Sequence, residues 1–349
     1  MARAVDVAVV GAGPAGATLA RRLAEGGAKV VIFDHTHPRE KVCGGGISAR
    51  ARAMFPEIDR LAPLGRSGAS LRLVAPDGLT ATVAGRGETF AIDRAIFDRA
   101  LLDEAVAAGA AWRAEKVLAA KRVRGGFAVE TRAASYRARL LVGADGARSS
   151  IRRGLVGPIP NEHLGFGAHA LAPRLDPPSA MLRFFGDRRG YAWVFNRREQ
   201  SSVGVGMPLT NKDDWRIQLE RHFRCEAPER ALRGIRAWVL PQAANAELFR
   251  APIAGDDWLL VGDAAGHCDP LTGEGIVYAL WGARLAAEAI LRQRPASFDA
   301  AWRNAYLARF ERHLKLAPTL ANRFLLDALI AAGRLPFVGA RLFGMIGGK

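Results

Sequence analysis

Apolar positions set the first elements of the chain. Val5 to Val10 (VDVAVV) is an almost unbroken β-rich run, the pattern of a strand buried on both faces of a parallel sheet. Pro14 to Glu25 then repeats apolar residues at helical spacing, with the proline tolerated in the first turn and Gly26-Gly27 stopping the helix. Lys29 to Phe33 (KVVIF) returns to an apolar run. A strand–helix–strand unit is predicted from these residues. Between 67 and 93 the pattern changes to short alternating segments, SLRLVAP and LTATVAG, joined by the hairpin signal Asp77-Gly78. Ile92 to Ala108 reads as an amphipathic helix with Ile96, Leu101, Leu102, Ala105 and Val106 on one side, ended by Gly109. Strands return from Trp112 to Val142, where Val117, Val123, Phe127 and Val129 mark apolar positions and Gly125-Gly126 turns the chain.

Residues 163–250 are dominated by strand-like pieces: LGFGAHALA, SAMLRFF, GYAWVFN, SSVGVGM and IRAWVLP. One helix is predicted there, from about Lys212 to Phe223, with Trp215, Leu219 and Phe223 at i, i+4 and i+8. An antiparallel sheet follows from this pattern. Alternation puts Tyr191, Trp193 and Phe195 on one face of a strand, as core or as the wall of an apolar pocket. Asp257 to Val261 is another buried run, and a small-residue-rich helix runs from about Gly275 to Arg292. The remainder, 296–349, reads as helical with breaks at Pro318, Gly333 and Pro336. The apolar stretch from Leu314 to Ile346, punctuated by Arg323, Arg334 and Arg341, either caps the strand-rich part or lies on a membrane interface.

Glycines add chemistry to the first unit. Gly11, Gly13 and Gly16 form G-x-G-x-x-G between the strand and the helix, and Asp34 ends the second strand close to the ~20-residue offset of an acid that binds a ribose hydroxyl. Gly11 permits the turn, Gly13 lets backbone N–H groups approach a pyrophosphate, and Gly16 lets helix and strand close up. Strand, helix, second strand and acid fall in register, so this is a dinucleotide site; the stretch alone does not choose between NAD and FAD. Next comes Arg39-Glu-Lys-Val-Cys-Gly-Gly-Gly-Ile-Ser48, a glycine loop with Ser48 placed to cap a short helix ending before Pro56. Downstream, Gly262-Asp263 begins a glycine-bounded loop that runs through Gly273 to a helix N-terminus at Gly275 and Ile276, a second place to hold a polyol and an electron-rich ring edge.

Composition alters this little. Half of the 349 residues are hydrophobic and 24% are charged, as in ordinary globular proteins. A net charge of +16 favours anionic partners, although only seven of the 50 basic residues are lysines and the arginines are scattered. Compositional bias and an anionic-surface role explain it equally well. Three irregularly spaced cysteines make neither a disulfide framework nor a zinc site and fit a reducing compartment; no metal is expected. His35 and His37 read as surface loop residues. No signal peptide and no transmembrane run are expected.

Three separated stretches carry a resemblance. GAGPAG with an acid at 34, GADG-x-x-S-x-x-R at 143–152 and GD at 262–263 resemble the FAD-dependent para-hydroxybenzoate hydroxylase superfamily. Within it, the K-V-C-G-G-G-I-S and P-L-T-G-E-G-I loops resemble the geranylgeranyl reductase family, which saturates isoprenoid double bonds. The resemblance implies an α/β fold in which a discontinuous Rossmann-like FAD-binding domain (1–66, 93–160 and 251–295) carries an inserted antiparallel-sheet substrate domain (67–92 and 161–250) and a C-terminal helical region (296–349). It also implies FAD contacts from Gly11, Gly13, Ala15, Gly16, Asp34, Arg39, Cys43, Gly44, Gly46, Arg94, Val117, Asp263, Gly273, Gly275 and Ile276, and Cys43 is the candidate acid or flavin-positioning residue. Of the family's P-x-x-Y-x-W-x-F-P stretch, Tyr191, Trp193 and Phe195 are kept as substrate wall, while Arg188 and Asn196 replace the prolines.

The function so implied is an FAD-dependent reductase of an isoprenoid or similarly apolar substrate, with NADPH or a ferredoxin-like protein as electron donor. A cytoplasmic monomer at the inner face of an anionic membrane is expected, with no nucleic-acid partner. An FAD-dependent aromatic monooxygenase is the alternative, but its loop usually continues GDAAH-x-x-x-P, and here His267 comes one place later. A flavin halogenase expects a catalytic lysine before the substrate sheet, and none lies between Lys41 and Lys116. A non-catalytic flavoprotein or a membrane-surface binding module is the third reading.

Overall fold

A computed structural model describes residues 3–175 and 180–334. In chain order the strands are β1 (Arg3–Val10), β2 (Val30–Phe33), β3 (Gly46–Ile47), β4 (Arg66–Val74), β5 (Thr80–Ala91), β6 (Ala111–Arg113), β7 (Ala119–Val123), β8 (Gly126–Glu130), β9 (Ser135–Gly143), β10 (Leu164–Pro173), β11 (Ala180–Phe184), β12 (Tyr191–Asn196), β13 (Gln200–Pro208), β14 (Arg236–Pro241) and β15 (Trp258–Leu260). The α-helices are α1 (Pro14–Glu25), α2 (Ala49–Met54), α3 (Arg94–Ala107), α4 (Ser150–Leu155), α5 (Trp215–Glu226), α6 (Glu247–Arg250), α7 (Ile276–Leu291), α8 (Ser297–Leu316) and α9 (Arg323–Gly333). They form two compact units. The first comprises the chain up to Arg39, Phe97–His163 and Leu240–Arg312; the second comprises Glu40–Ile96, Leu164–Val239 and the chain from His313. Glu40 to Arg66, read from the sequence with the nucleotide domain, thus groups with the strand-rich unit.

The first unit is built on a sheet of order β6-β2-β1-β9-β8-β7, with β15 also on β9. β6, β2, β1, β9 and β15 run parallel, and β8 and β7 add an antiparallel edge. β1 is a central strand between β2 and β9, and Val7 to Val10 are buried on both faces, as the unbroken apolar run requires of a parallel sheet. α1 packs against α7, and both offer small residues, so the helices approach closely. α8 presents Trp302, Tyr306 and Phe310 at i, i+4 and i+8 to Tyr278 and Phe249. Two expectations are corrected here. On α3 the buried stripe is Phe97, Leu101, Leu102 and Ala105, whereas Ile96 and Val106 are 42% and 43% exposed. Val117 lies in the irregular connection between β6 and β7, not in a strand.

The second unit holds a sheet of order β14-β10-β13-β12-β11-β4-β5-β3. It is not wholly antiparallel: β11 runs parallel to β4, pairing Leu182 with Leu73. The β4–β5 hairpin turns at Gly78, where φ is +94° and Asp77 Oδ1 accepts the Leu79 N–H at 2.7 Å. α5 buries Leu219 and Phe223 against one face of the sheet, where Ala192 and Val194 of β12 point. The opposite face of β12 carries Tyr191, Trp193 and Phe195. α9 caps the hairpin: Ile330 packs on Ala75 and Ala81, and Arg334 Nε donates to the Thr80 carbonyl at 2.9 Å. Phe324 on the same helix is 85% exposed. Pro336, Arg341 and the rest of 335–349 lie outside the described residues. No helix among the described residues is long and apolar enough to cross a membrane.

Candidate functional site

In the first unit, Gly11 follows β1, Asp34 follows β2, Ala144 follows β9 and Gly262 follows β15 closely. Since these strands are parallel, all four lie at the same edge of the sheet, the carboxyl end, with β1 at the point where connections diverge to β2 and β9. The glycines are a cradle in the strict sense. A Cβ on Gly11, whose φ is +102°, would sit 2.3 Å from the Ala144 carbonyl oxygen, and one on Gly16 would sit 2.0 Å from the Gly11 carbonyl oxygen. A Cβ on Gly13 would lie 3.5 Å from Arg39 Nη2, so the arginine stands over the turn at the uncapped start of α1. Ala15 is buried beside Gly262.

Asp34 ties the turn to β2. Its Oδ2 accepts the Ala12 N–H at 2.9 Å and its Oδ1 accepts the Thr36 N–H at 2.9 Å and the Thr36 hydroxyl at 2.5 Å, while Arg39 Nη1 lies 3.2 Å from Oδ2. Burial raises the carboxyl, but Arg39, Thr36 and the Ala12 N–H outweigh it and hold the pKa below the usual 3.8. His37 is not a surface residue. Its side chain has no exposed surface and its Nε2 lies 3.6 Å from Asp34 Oδ2. Burial, more than the neighbouring charges, lowers its pKa.

The loop after β15 has an organiser that sequence reading passed over. Asp269 is buried; its Oδ1 accepts the N–H groups of Leu271 and Thr272 at 3.0 and 3.1 Å, and its Oδ2 accepts the Tyr278 hydroxyl at 3.1 Å. Its carbonyl accepts the Gly273 N–H at 2.9 Å. These bonds bend the loop so that Gly275 sits against Asp263, whose Oδ1 would lie 3.7 Å from a Cβ there. α7 then starts at Ile276 with Gly275 at its N-cap and no side-chain cap on the N–H groups of its first turn. His267 points elsewhere: it is stacked on Trp302 with centroids 4.1 Å apart and planes at 5°. Gly266, at φ +81°, makes the turn just before it.

In the second unit, Cys43 to Gly46 lie on the aromatic face of β12. A Cβ on Gly44 would come within 2.4 Å of the Phe195 ring, one on Gly46 within 2.7 Å, and one on Gly45 (φ +79°) within 2.1 Å of the Ile92 carbonyl oxygen. Gly44 and Gly46 therefore let the loop sit on Phe195, and Gly45 lets it pass the Ile92 carbonyl. Trp193 is 6% exposed and lies over Gly204 and Gly206, while Tyr191 stands edge-on to it at 6.4 Å. Beneath the loop is Arg197, fully buried, with Nη1 at 2.7 Å from both Glu40 Oε1 and Asp93 Oδ1. Its Nη2 donates to the Cys43 carbonyl at 2.8 Å and its Nε to the Gly44 carbonyl at 3.3 Å. Cys43 Sγ accepts the Gly45 N–H at 3.3 Å. Arg94, the first residue of α3, is also buried in this unit.

Comparison with known proteins fits both units. A family model described as FAD binding domain matches residues 4–290. Digeranylgeranylglycerophospholipid reductase 1 of Methanopyrus kandleri is 33% identical, over 81% of this chain and 79% of its own length. Geranylgeranyl diphosphate reductase of Rhodobacter capsulatus is 32% identical, over 82% and 75%. A geranylgeranyl bacteriochlorophyll reductase-like protein of Thermoplasma acidophilum shares the fold, with a TM-score of 0.83, 22% identity and coverage of 100% of this chain and 97% of its own. The flavin-dependent brominase Bmp2 shares the fold at a TM-score of 0.70 and 18% identity. The chain is thus an FAD-binding oxidoreductase that belongs to the geranylgeranyl reductase family.

Proposed function

We propose that the chain is an FAD-dependent reductase that saturates carbon–carbon double bonds of an isoprenoid or similarly apolar substrate. The observation that carries this is the Cys43–Gly46 loop, whose Gly44 and Gly46 lie against the Phe195 ring, so that the loop bearing the Cys43 thiol is seated on the face of β12 that carries Tyr191, Trp193 and Phe195. The first unit fits FAD: the glycine cradle and Arg39 suit a pyrophosphate, Asp34 a ribose, and Asp263 with the Ile276 helix start a polyol and the electron-rich edge of a ring. When bound and reduced, FAD supplies the hydride. Tyr191 and Phe195, with Trp193 packed between them on the same face, form the apolar wall that binds the chain and excludes water. Cys43 holds a proton at Sγ for the second alkene carbon, its sulfur oriented by the Gly45 N–H. Electrons come from NADPH or a ferredoxin-like protein, and the +16 charge supports docking of a cytoplasmic monomer at an anionic membrane face.

The test is anaerobic. The purified protein is reduced at its flavin and mixed with polyprenyl lipids; reoxidation with a gain of two hydrogens in product mass is expected. Reoxidation only by O₂, with oxygen incorporated into product, favours the aromatic monooxygenase instead. Cys43→Ala is expected to keep FAD and to lower the single-turnover rate about a hundredfold. An unchanged rate and flavin spectrum would remove Cys43 as the acid.

A further inference from the structure

Arg197 is joined to more groups than charge balance asks for. A cation held only for structure would be matched by Glu40 and Asp93, each 2.7 Å away, and buried ion pairs of that kind are often replaceable by apolar residues. Two further donors of the same guanidinium are aimed at the carbonyls of Cys43 and Gly44. The carboxylates are themselves fixed: Glu40 Oε2 accepts the Ala95 N–H at 3.1 Å, and Asp93 Oδ1 accepts Gln200 Nε2 at 2.6 Å. The Cys43 carbonyl has a second donor, the Ser202 hydroxyl at 3.1 Å, whose oxygen accepts Trp193 Nε1–H at 3.0 Å. With its one proton donated to the Cys43 carbonyl, the Ser202 hydroxyl accepts a hydrogen bond from His169 Nδ1–H, 2.9 Å away, in the tautomer with the proton on that nitrogen. Burial, with Arg197 and Arg236, pushes the His169 pKa down to about 3, so the ring stays neutral.

The peptide geometry gives these bonds a direction. In a trans peptide the C=O and N–H point opposite ways. With the carbonyls of Cys43 and Gly44 turned to Arg197, the N–H groups of Gly44 and Gly45 face away from it, and the Gly45 N–H meets Cys43 Sγ at 3.3 Å. A planar fork of five donors can serve two carboxylates and two carbonyls at once, whereas a lysine ammonium has three donors radiating from one atom.

We infer that Arg197 is a positioning residue: it fixes the two peptide planes that follow Cys43 and so orients the Cys43 thiol. As a statement about turnover this rests on the reading of Cys43 given above; as a statement about the thiol it does not. The test is site-resolved alkylation by iodoacetamide in the full-length, FAD-loaded protein, with exposed Cys225 and buried Cys268 as internal references. In Arg197→Lys, Cys43 is expected to react about tenfold faster while Cys225 and Cys268 keep their rates, and turnover falls with FAD still bound. Ser202→Ala, which removes the second donor, is expected to give a smaller increase. Cys43 reacting within a factor of about two of wild type in Arg197→Lys overturns the inference. Should Arg197→Lys unfold, seen as a reactive Cys268, the neutralised Glu40→Gln/Asp93→Asn/Arg197→Met protein must show the same fast Cys43, and a wild-type rate there overturns it. A wild-type protein that reduces no isoprenoid, with the Cys43 rate still raised in Arg197→Lys, defeats the proposed function and leaves the positioning role standing.

Discussion

Gly11→Ala is expected to strip the protein of FAD and to cost about 3–4 kcal/mol of stability, the sum of a left-handed backbone penalty and a hard overlap. The φ of +102° makes any side chain unfavourable, and the new Cβ would stand 2.3 Å from the Ala144 carbonyl oxygen. Neither partner can yield: the Ala144 N–H donates to the Val10 carbonyl at 2.7 Å and the Gly11 N–H to the Phe33 carbonyl at 2.8 Å, so both are anchored to the central strands. Gly27 is the control. Its φ is +84°, but nothing lies within 4 Å of its Cβ position, so Gly27→Ala carries the backbone penalty alone, about 1–2 kcal/mol, and should keep its flavin. Flavin absorbance after desalting and urea unfolding of both variants check this. Wild-type flavin content in Gly11→Ala would mean that the turn does not hold the cofactor.

The contrast between these glycines marks what sequence reading reaches. The β1–α1–β2 unit was legible because its signals are local: a run of apolar residues, a glycine spacing and an acid at the strand end all act within thirty-four residues. The loop at Gly262 to Ile276 was legible for the same reason, although Asp269, which shapes it, looked like any loop acid. Ser48 capping α2 through the Ala51 N–H also needed only neighbours. Arg197 was not legible. Its partners Glu40, Cys43 and Asp93 lie more than a hundred residues away, and it is one arginine in an arginine-rich chain. The parallel pairing of β11 with β4 is non-local in the same way. Errors on α3 were finer. Shifting the helical stripe by one residue exchanges exposed Ile96 for buried Phe97, and composition alone does not choose between two neighbouring apolar positions. The aromatic stripe at 191–195 reads from the sequence as core or as pocket wall, and its burial is uneven: Trp193 is buried, whereas Tyr191 and Phe195 are half-buried.

Acid should unfold this protein readily, and His267→Phe should blunt the effect. His169 has a folded pKa of about 3 against an ordinary 6.5. Between those values the unfolded chain binds a proton that the folded chain refuses, so stability is complete above 6.5 and falls as pH drops towards 3. The slope for one such histidine is about 1.4 kcal/mol per pH unit, so two units below 6.5 remove roughly 3 kcal/mol from a total of about ten. His267 and His222 are shifted the same way, His267 by burial and then Arg152, His222 by burial against the opposing pull of the Trp193 carbonyl and Glu226. Asp34, a carboxyl held below 3.8, adds a loss of the same sign at still lower pH. His267 is the cleanest to remove. Neither ring nitrogen has a hydrogen-bond partner among the described residues, and its contact is a stack on Trp302 that a phenyl ring reproduces. The larger ring presses on α7 near Gly282, so stability at pH 7 can fall; the informative quantity is the slope. Urea unfolding at pH 7, 6 and 5 should show a smaller loss per pH unit in His267→Phe than in wild type. Equal slopes would mean that His267 takes up its proton in the folded protein as easily as in the unfolded chain, and that its burial is not what makes the protein sensitive to acid.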